Sequence, residues 1–180
     1  MKLTALLLLS SFAFGASIPP PRVTRASVAA MEDSLDNHIM RLRIDAPFYL
    51  VGGSRGIYVD GYGVMFAVEL NLVATNLVSL FRPKVTQDEL LKLKHEKEQR
   101  LPVLRQAMRQ ILIDSAGSLD GVPPTENIAI GVTLVYQQWE ESGGLPRQIV
   151  MQAPKKILME AAKGNPAALD AGGLKVQEFN

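Results

Sequence analysis

The chain is expected to adopt an α+β fold: a four-stranded, mainly antiparallel sheet packed by two or three helices, in the order α-β-β-α-β-β-α. Apolar residues recur at helical spacing through 24–42 and 90–112, each stretch preceded by a capping signal. A two-residue alternation runs through 62–72 and again through 128–136, the period of half-buried strands. Clusters of glycine and proline separate these stretches.

The first helix is expected over Thr24 to Leu42. Val28, Met31, Leu35, Ile39 and Leu42 fall on one face, and Thr24 can cap the first turn. Pro47 to Val51 and Ile57 to Val59 read as short strands around the turn-rich Gly52-Gly53-Ser54-Arg55-Gly56. From Tyr62 the alternation is strong. Tyr62, Val64, Phe66, Val68, Leu70 and Leu72 share a face, against Gly63, Met65, Ala67, Glu69 and Asn71. Two glycines, Gly61 and Gly63, favour a bulge in a long strand over a turn, which puts the hairpin turn at Gly52 to Arg55.

Val73 to Lys84 is too apolar for an idle connection. Leu77, Leu80 and Phe81 within it are expected to cover the sheet or to meet a partner. A long helix follows. Thr86 and Glu89 form a capping box, with Val85 and Leu90 as a hydrophobic staple. Leu90, Leu93, Leu101, Leu104, Met108, Ile111 and Leu112 keep one stripe in phase across Pro102. That predicts a kink there, or two helices nearly end to end, stopping at Gly117. Ile128, Ile130, Val132, Leu134 and Tyr136 mark the next strand, and Gln148 to Ala153 its partner. Pro154 opens a last helix that ends at Gly164. The Ala/Gly-rich segment 165–180 is read as a mobile tail.

The N-terminus has the pattern of a secretory signal over residues 1–17. Lys2 precedes the apolar run Leu3 to Phe14, and small residues follow at Ala13, Gly15, Ala16 and Ser17. The run is too short for a membrane-spanning helix, which needs about 20 apolar residues. Residues 18–23, with Pro19-Pro20-Pro21, form a spacer, and 24–164 a single domain. The expectation is therefore an exported protein without a transmembrane segment after cleavage. The absence of cysteine favours a bacterial periplasm over a disulfide-rich extracellular space.

Composition narrows the partners. The chain has 19 basic and 18 acidic residues, and the signal removes Lys2 and no acid. The neutral remainder argues against nucleic acid and anionic lipid surfaces, which require a basic excess. With no cysteine there is no disulfide, thiolate metal site or cysteine nucleophile.

The chemical motifs are weak. Gly52 to Gly56 fits the G-x-S-x-G nucleophile elbow, but that motif needs a helix after the serine, and a strand is expected here. His38 and His95 are the only histidines, and neither has a zinc-ligand spacing around it. Asp33 to Asn37 lacks the glycine and terminal glutamate of a calcium loop. No glycine run has the phosphate-binding sequence. Asp60, Glu69, Glu140 and Glu141 are strand-associated acids that a carboxylate hydrolase would need to bring together. No catalytic, cofactor or metal residue is therefore assigned.

Trp139, the only tryptophan, lies beside a loop and is a candidate contact residue, as is Tyr62. The order of elements is similar to that of roadblock-type and longin-like domains, which are interaction modules. That likeness is topological and carried by no motif. The functional expectation is a non-enzymatic binding or assembly module of the cell envelope, its partner a protein, self or other. Contacts are expected through Leu77, Leu80, Phe81, Trp139 and Tyr62. The alternatives are a small periplasmic hydrolase using carboxylates and a carrier with an apolar pocket.

Overall fold

The computed structural model describes residues 23–42, 47–73 and 85–180. The expected signal over 1–17, residues 18–22 of the expected spacer, and Leu77, Leu80 and Phe81 lie outside the described residues. Within them the fold is α+β, with three α-helices and a six-stranded sheet.

Helix α1 (Arg25–Met40) starts where the sequence places it. The Thr24 side chain accepts from the Ser27 N–H at 3.1 Å, and Val28, Met31, Leu35 and Ile39 are buried. Burying each such side chain contributes about 1.5–3 kcal/mol, enough to hold a helix against a sheet.

Strands β1 (Tyr49–Leu50), β2 (Arg55–Val59) and β3 (Gly63–Asn71) reverse the expected positions of turn and bulge. Both β1 and β2 pair antiparallel with the same side of β3. They form one edge strand, interrupted between Val51 and Ser54. Leu50 stands opposite Leu70 and Arg55 opposite Ala67, so the edge strand carries extra residues there and must bulge. The hairpin turn is at Asp60–Tyr62, between paired Val59 and Gly63. Its physical basis is Gly61, at φ +79°, a backbone conformation open to glycine. Gly63 is also constrained: a Cβ there would lie 1.9 Å from the Asn127 carbonyl oxygen of the next strand.

Helix α2 (Gln87–Ser115) begins with the expected capping box between Thr86 and Glu89. It runs as a single helix with Pro102 inside, not as two segments. The helix is the crossover that lets β4 (Asn127–Leu134) lie parallel to β3. The other four pairings are antiparallel, so the sheet is mainly antiparallel, as expected, with this one parallel pair inside it. β5 (Gln148–Pro154) pairs antiparallel with β4, and helix α3 (Lys155–Ala162) follows with Pro154 as its N-cap residue. The count of four strands is corrected to six. The edge strand is split in two, and Lys175–Phe179 forms β6, antiparallel to β5. The Ala/Gly content of the tail hides that strand, but Lys175 to Phe179 itself contains neither residue.

The strand order is β1 and β2 on one edge, then β3, β4, β5, with β6 on the other edge. Val64, Phe66, Val68 and Leu70 of β3, Ile128, Ile130 and Val132 of β4, and Ile149 and Met151 of β5 point to one face. There they form a single core with residues from α1, α2 and α3. Among the described residues, all three α-helices thus cover one face of the sheet, and none covers the other.

Candidate binding surface

The uncovered face follows directly from register. Residues opposite one another in neighbouring strands share a face. One row reads Ile57, Met65, Ala129, Gln152 and Lys175 across the sheet, and the next reads Arg55, Ala67, Gly131, Val150 and Gln177. Apolar residues concentrate at the β2 side. Ile57 is 60% exposed, with Val59 and Met65 exposed beside it, while Tyr49 and Val51 are exposed further along the edge, beyond Arg55 and the bulge. The central strand contributes the small residues Ala129 and Gly131, and Ala129 is buried although no described helix covers it. The exposed apolar cluster of Ile57, Val59 and Met65 along a sheet edge has the shape of a docking surface rather than of a reaction cleft.

Polar groups mark one end of this face. A shallow groove of about 230 Å³ is lined by Gly52, Gly53, Arg55, Ala67, Glu69 and Thr133. The edge bulge builds its rim, and helix α1 fixes that bulge. The Asp36 carboxylate accepts the Ser54 N–H at 3.0 Å, and the Ser54 hydroxyl donates to the Glu32 carbonyl oxygen at 2.9 Å. Glu32 in turn accepts the Gly56 N–H at 2.6 Å and two bonds from Arg25 at 2.8 Å. The Arg25 guanidinium is the main reason the Glu32 carboxyl is held below the usual carboxylate range; burial opposes it and the Gly56 N–H assists.

Tyr62 belongs to this face. Its hydroxyl donates to Gln152 Oε1 at 2.6 Å, so the side chain spans β4 from the hairpin turn to β5. That differs from the alternation, which placed Tyr62 on the row of Val64 and Phe66. The turn at Asp60–Tyr62 releases it from the strand period.

Trp139 is elsewhere. It is partly buried and packs against the helix-side core, in the connection between β4 and β5. That connection is held by Lys97, which is not among the residues singled out in the sequence, and by Glu140, one of the four candidate acids. Lys97 of α2 is 1% exposed and pairs with Glu140, whose side chain is equally enclosed. The Lys97 ammonium lies 4.9 Å from the centre of the Tyr136 ring, and the Tyr136 hydroxyl donates to the Pro146 carbonyl at 2.9 Å. Burial, with the Glu140 carboxylate nearby, pushes the Tyr136 phenol up to about 12. A signal for Lys97 existed: the α2 stripe skips from Leu93 to Leu101, and Lys97 fills the missing helical position. Glu126 offered none. Its buried carboxylate accepts the Gly61 N–H at 3.1 Å and the Tyr58 hydroxyl at 3.4 Å, bracing the hairpin turn.

The catalytic candidates are placed as follows. Ser54 is fully buried, and its hydroxyl is committed to a backbone carbonyl, so the G-x-S-x-G stretch presents no nucleophile. Asp60 lies in the hairpin turn and Glu69 on the open face, separated along β3 by roughly 20 Å at strand rise. Glu140 is on the helix side, in its pair with Lys97. Asp60 approaches Glu126 through the Tyr58 hydroxyl that both carboxylates meet, at a hairpin end and not in a cleft. His38 stands 3.9 Å from Asp114, and His95 contacts Glu98 and Gln99 on the exposed side of α2. Among the described residues, no three histidine or carboxylate side chains gather as a metal site would require. None of the described helices is long and apolar enough to cross a membrane. No protein-family model, curated protein or solved structure matches this chain.

Proposed function

We propose that this chain is an exported, non-enzymatic binding or assembly module of the cell envelope, and that it holds a protein partner on the open face of its sheet. The observation carrying this reading is the one-sided packing. Three helices bury one face, while Ile57, Val59 and Met65 stand exposed together on the other. Leaving such side chains in water forgoes burial energy, which a partner surface can recover. The face mixes Arg55, Glu69 and Lys175 with neutral groups, so its complement is an apolar protein surface with a mixed polar rim rather than a polyanion. Export is supported by the sequence pattern over residues 1–17.

The test is capture by the mature protein from its own cell envelope, with and without Ile57→Asp and Met65→Lys. Both positions are solvent-exposed, so circular dichroism should be unchanged. Capture should fall at least about tenfold, since losing a central apolar anchor costs roughly 1.4 kcal/mol or more. Undiminished capture by both variants would count against the open face. The export component is read from the recovered N-terminus, which should be Ala16 or Ile18. An N-terminus still at Met1, in the cytoplasm, would refute it.

A further inference from the structure

The two edges of the sheet are treated differently. On the β2 edge the Gly56 N–H is occupied by the Glu32 carboxylate, and the bulge between Val51 and Ser54 interrupts the strand. Bulges and side chains placed over backbone groups are the ordinary means of closing an edge to further pairing. The β6 edge has neither. All five of its residues are exposed.

The direction of the β6 backbone groups follows from its partner. The Arg147 N–H donates to the Phe179 carbonyl at 2.7 Å, and Gln148 is opposite Phe179 in the register. In an antiparallel strand each residue sends its N–H and C=O to the same side, alternating along the chain. Lys175, Gln177 and Phe179 therefore face β5, and Val176 and Glu178 turn their backbone groups outward. No hydrogen bond to those outward groups occurs among the described residues. The Glu178 side chain is drawn back over α2 by Arg105, at 2.6 and 2.9 Å, and leaves the edge clear.

We infer that β6 is a self-association edge, pairing antiparallel with β6 of a second copy about a two-fold axis at Gln177. The register is self-complementary. Val176 meets the partner's Glu178, and the reverse, each pair exchanging both backbone bonds. Lys175 falls opposite the partner's Phe179 on the open face, where an ammonium against an aromatic ring is favourable. Val176, 46% exposed in the single chain, gains its own copy as a diagonal neighbour. An axis at Gln177 stands normal to the sheet, so both open faces look the same way and the docking surface is doubled. The edge contact is small beside a standard stable interface, so the association is weak and depends on concentration. It does not rest on the open-face reading, because no residue from Tyr49 to Met65 takes part.

The test is sedimentation velocity of the mature protein over a concentration series up to about 1 mM, a range suited to weak pairing. The wild type should pass from monomer to dimer. Val176→Pro removes an outward N–H and spares the β5 ladder. Gln177→Lys places like charges opposite each other at the axis. Each should weaken the dimer by at least about tenfold. Gln177→Glu alone should also weaken it, and an equimolar mixture with Gln177→Lys should restore it as a heterodimer. Ile57→Asp should leave it unchanged. A wild type that stays monomeric throughout would overturn the inference. So would a dimer indifferent to both Val176→Pro and Gln177→Lys, or a mixture that does not recover.

Discussion

Lys97 and Glu140 are enclosed together, and the energetics of such a pair are asymmetric. Removing one partner strands a charge in a low-dielectric site and costs about 3–5 kcal/mol, whereas replacing both with apolar residues of similar size is close to neutral. Lys97→Met and Glu140→Leu should each lower the urea midpoint sharply, and the double variant should recover most of the loss. Additive losses would show that the pair is not the latch of the β4–β5 connection. Tyr136 beside it supplies an alkaline signature. Its phenol is raised to about 12 against an ordinary value near 10, so the folded state holds the proton more tightly. Stability from this group is complete below about pH 10 and is lost as pH rises toward 12. Phenolate absorbance should show a late-titrating component that Tyr136→Phe reduces; Tyr58, raised by burial and by the Glu126 and Asp60 carboxylates, contributes the rest. Glu140 and Tyr136 are each named from the sequence, but not their partnership, and the signal for Lys97 lay in the helix stripe. Lys97 occupies a stripe position, which is visible in the helical period. The convergence of Glu140 and Tyr136 on it depends on the path of a loop, which no local pattern encodes.

At the scale of elements, the edge strand and helix α1 act as one unit. Glu32 and Asp36 project from α1 and take backbone N–H groups on either side of the bulge. The Glu32 carboxyl is held low chiefly by Arg25, and the Glu178 carboxyl by Arg105. A lowered carboxyl contributes stability above its unfolded value of about 4.3, and loses it as pH falls through the lower folded value. The acid limb of a thermal-melt series should therefore flatten in Glu32→Gln and in Glu178→Gln. An unchanged limb in both would contradict the assignment. Gly63→Ala should destabilise by at least about 1–3 kcal/mol through strain at positive φ and the clash with Asn127.

The same elements show what the residue pattern encodes. Alternation and helical stripes locate β3, β4, β5, α1 and α2, because burial of one face imposes a period. Turn and bulge were exchanged between Gly52 and Gly61 because glycine serves both. What separates them is the pairing of β1 and β2 with β3, a contact across the chain. Parallel pairing of β3 with β4 was equally invisible, since a strand's own period is the same in either direction. Tyr62 was recognised as a candidate, although its place over β4 follows from the turn.

For the whole molecule, the helices are all on one side, and this organises both proposals. The covered face supplies the core, and the face that no described helix covers is the one on which the proposed partner docks. The two sheet edges differ as the faces do: β2 is closed by α1, and β6 is left available. Substitutions on the open face should therefore separate binding from folding. Ile57→Asp should keep the wild-type melting temperature to within a degree or two, as exposed positions usually cost under about 0.5 kcal/mol. An apolar core position such as Phe66→Ala should cost about 3–5 kcal/mol.

The most direct test of the central claim is site-specific photo-crosslinking in the native cell envelope. A photoreactive residue is placed in turn at Ile57, at Met65 and at Leu91, an exposed apolar position on α2 away from the sheet. Docking on the open face predicts a discrete protein adduct from Ile57 and Met65 and none from Leu91. Adducts from Leu91 alone, or none from the open-face positions in folded protein, would contradict it.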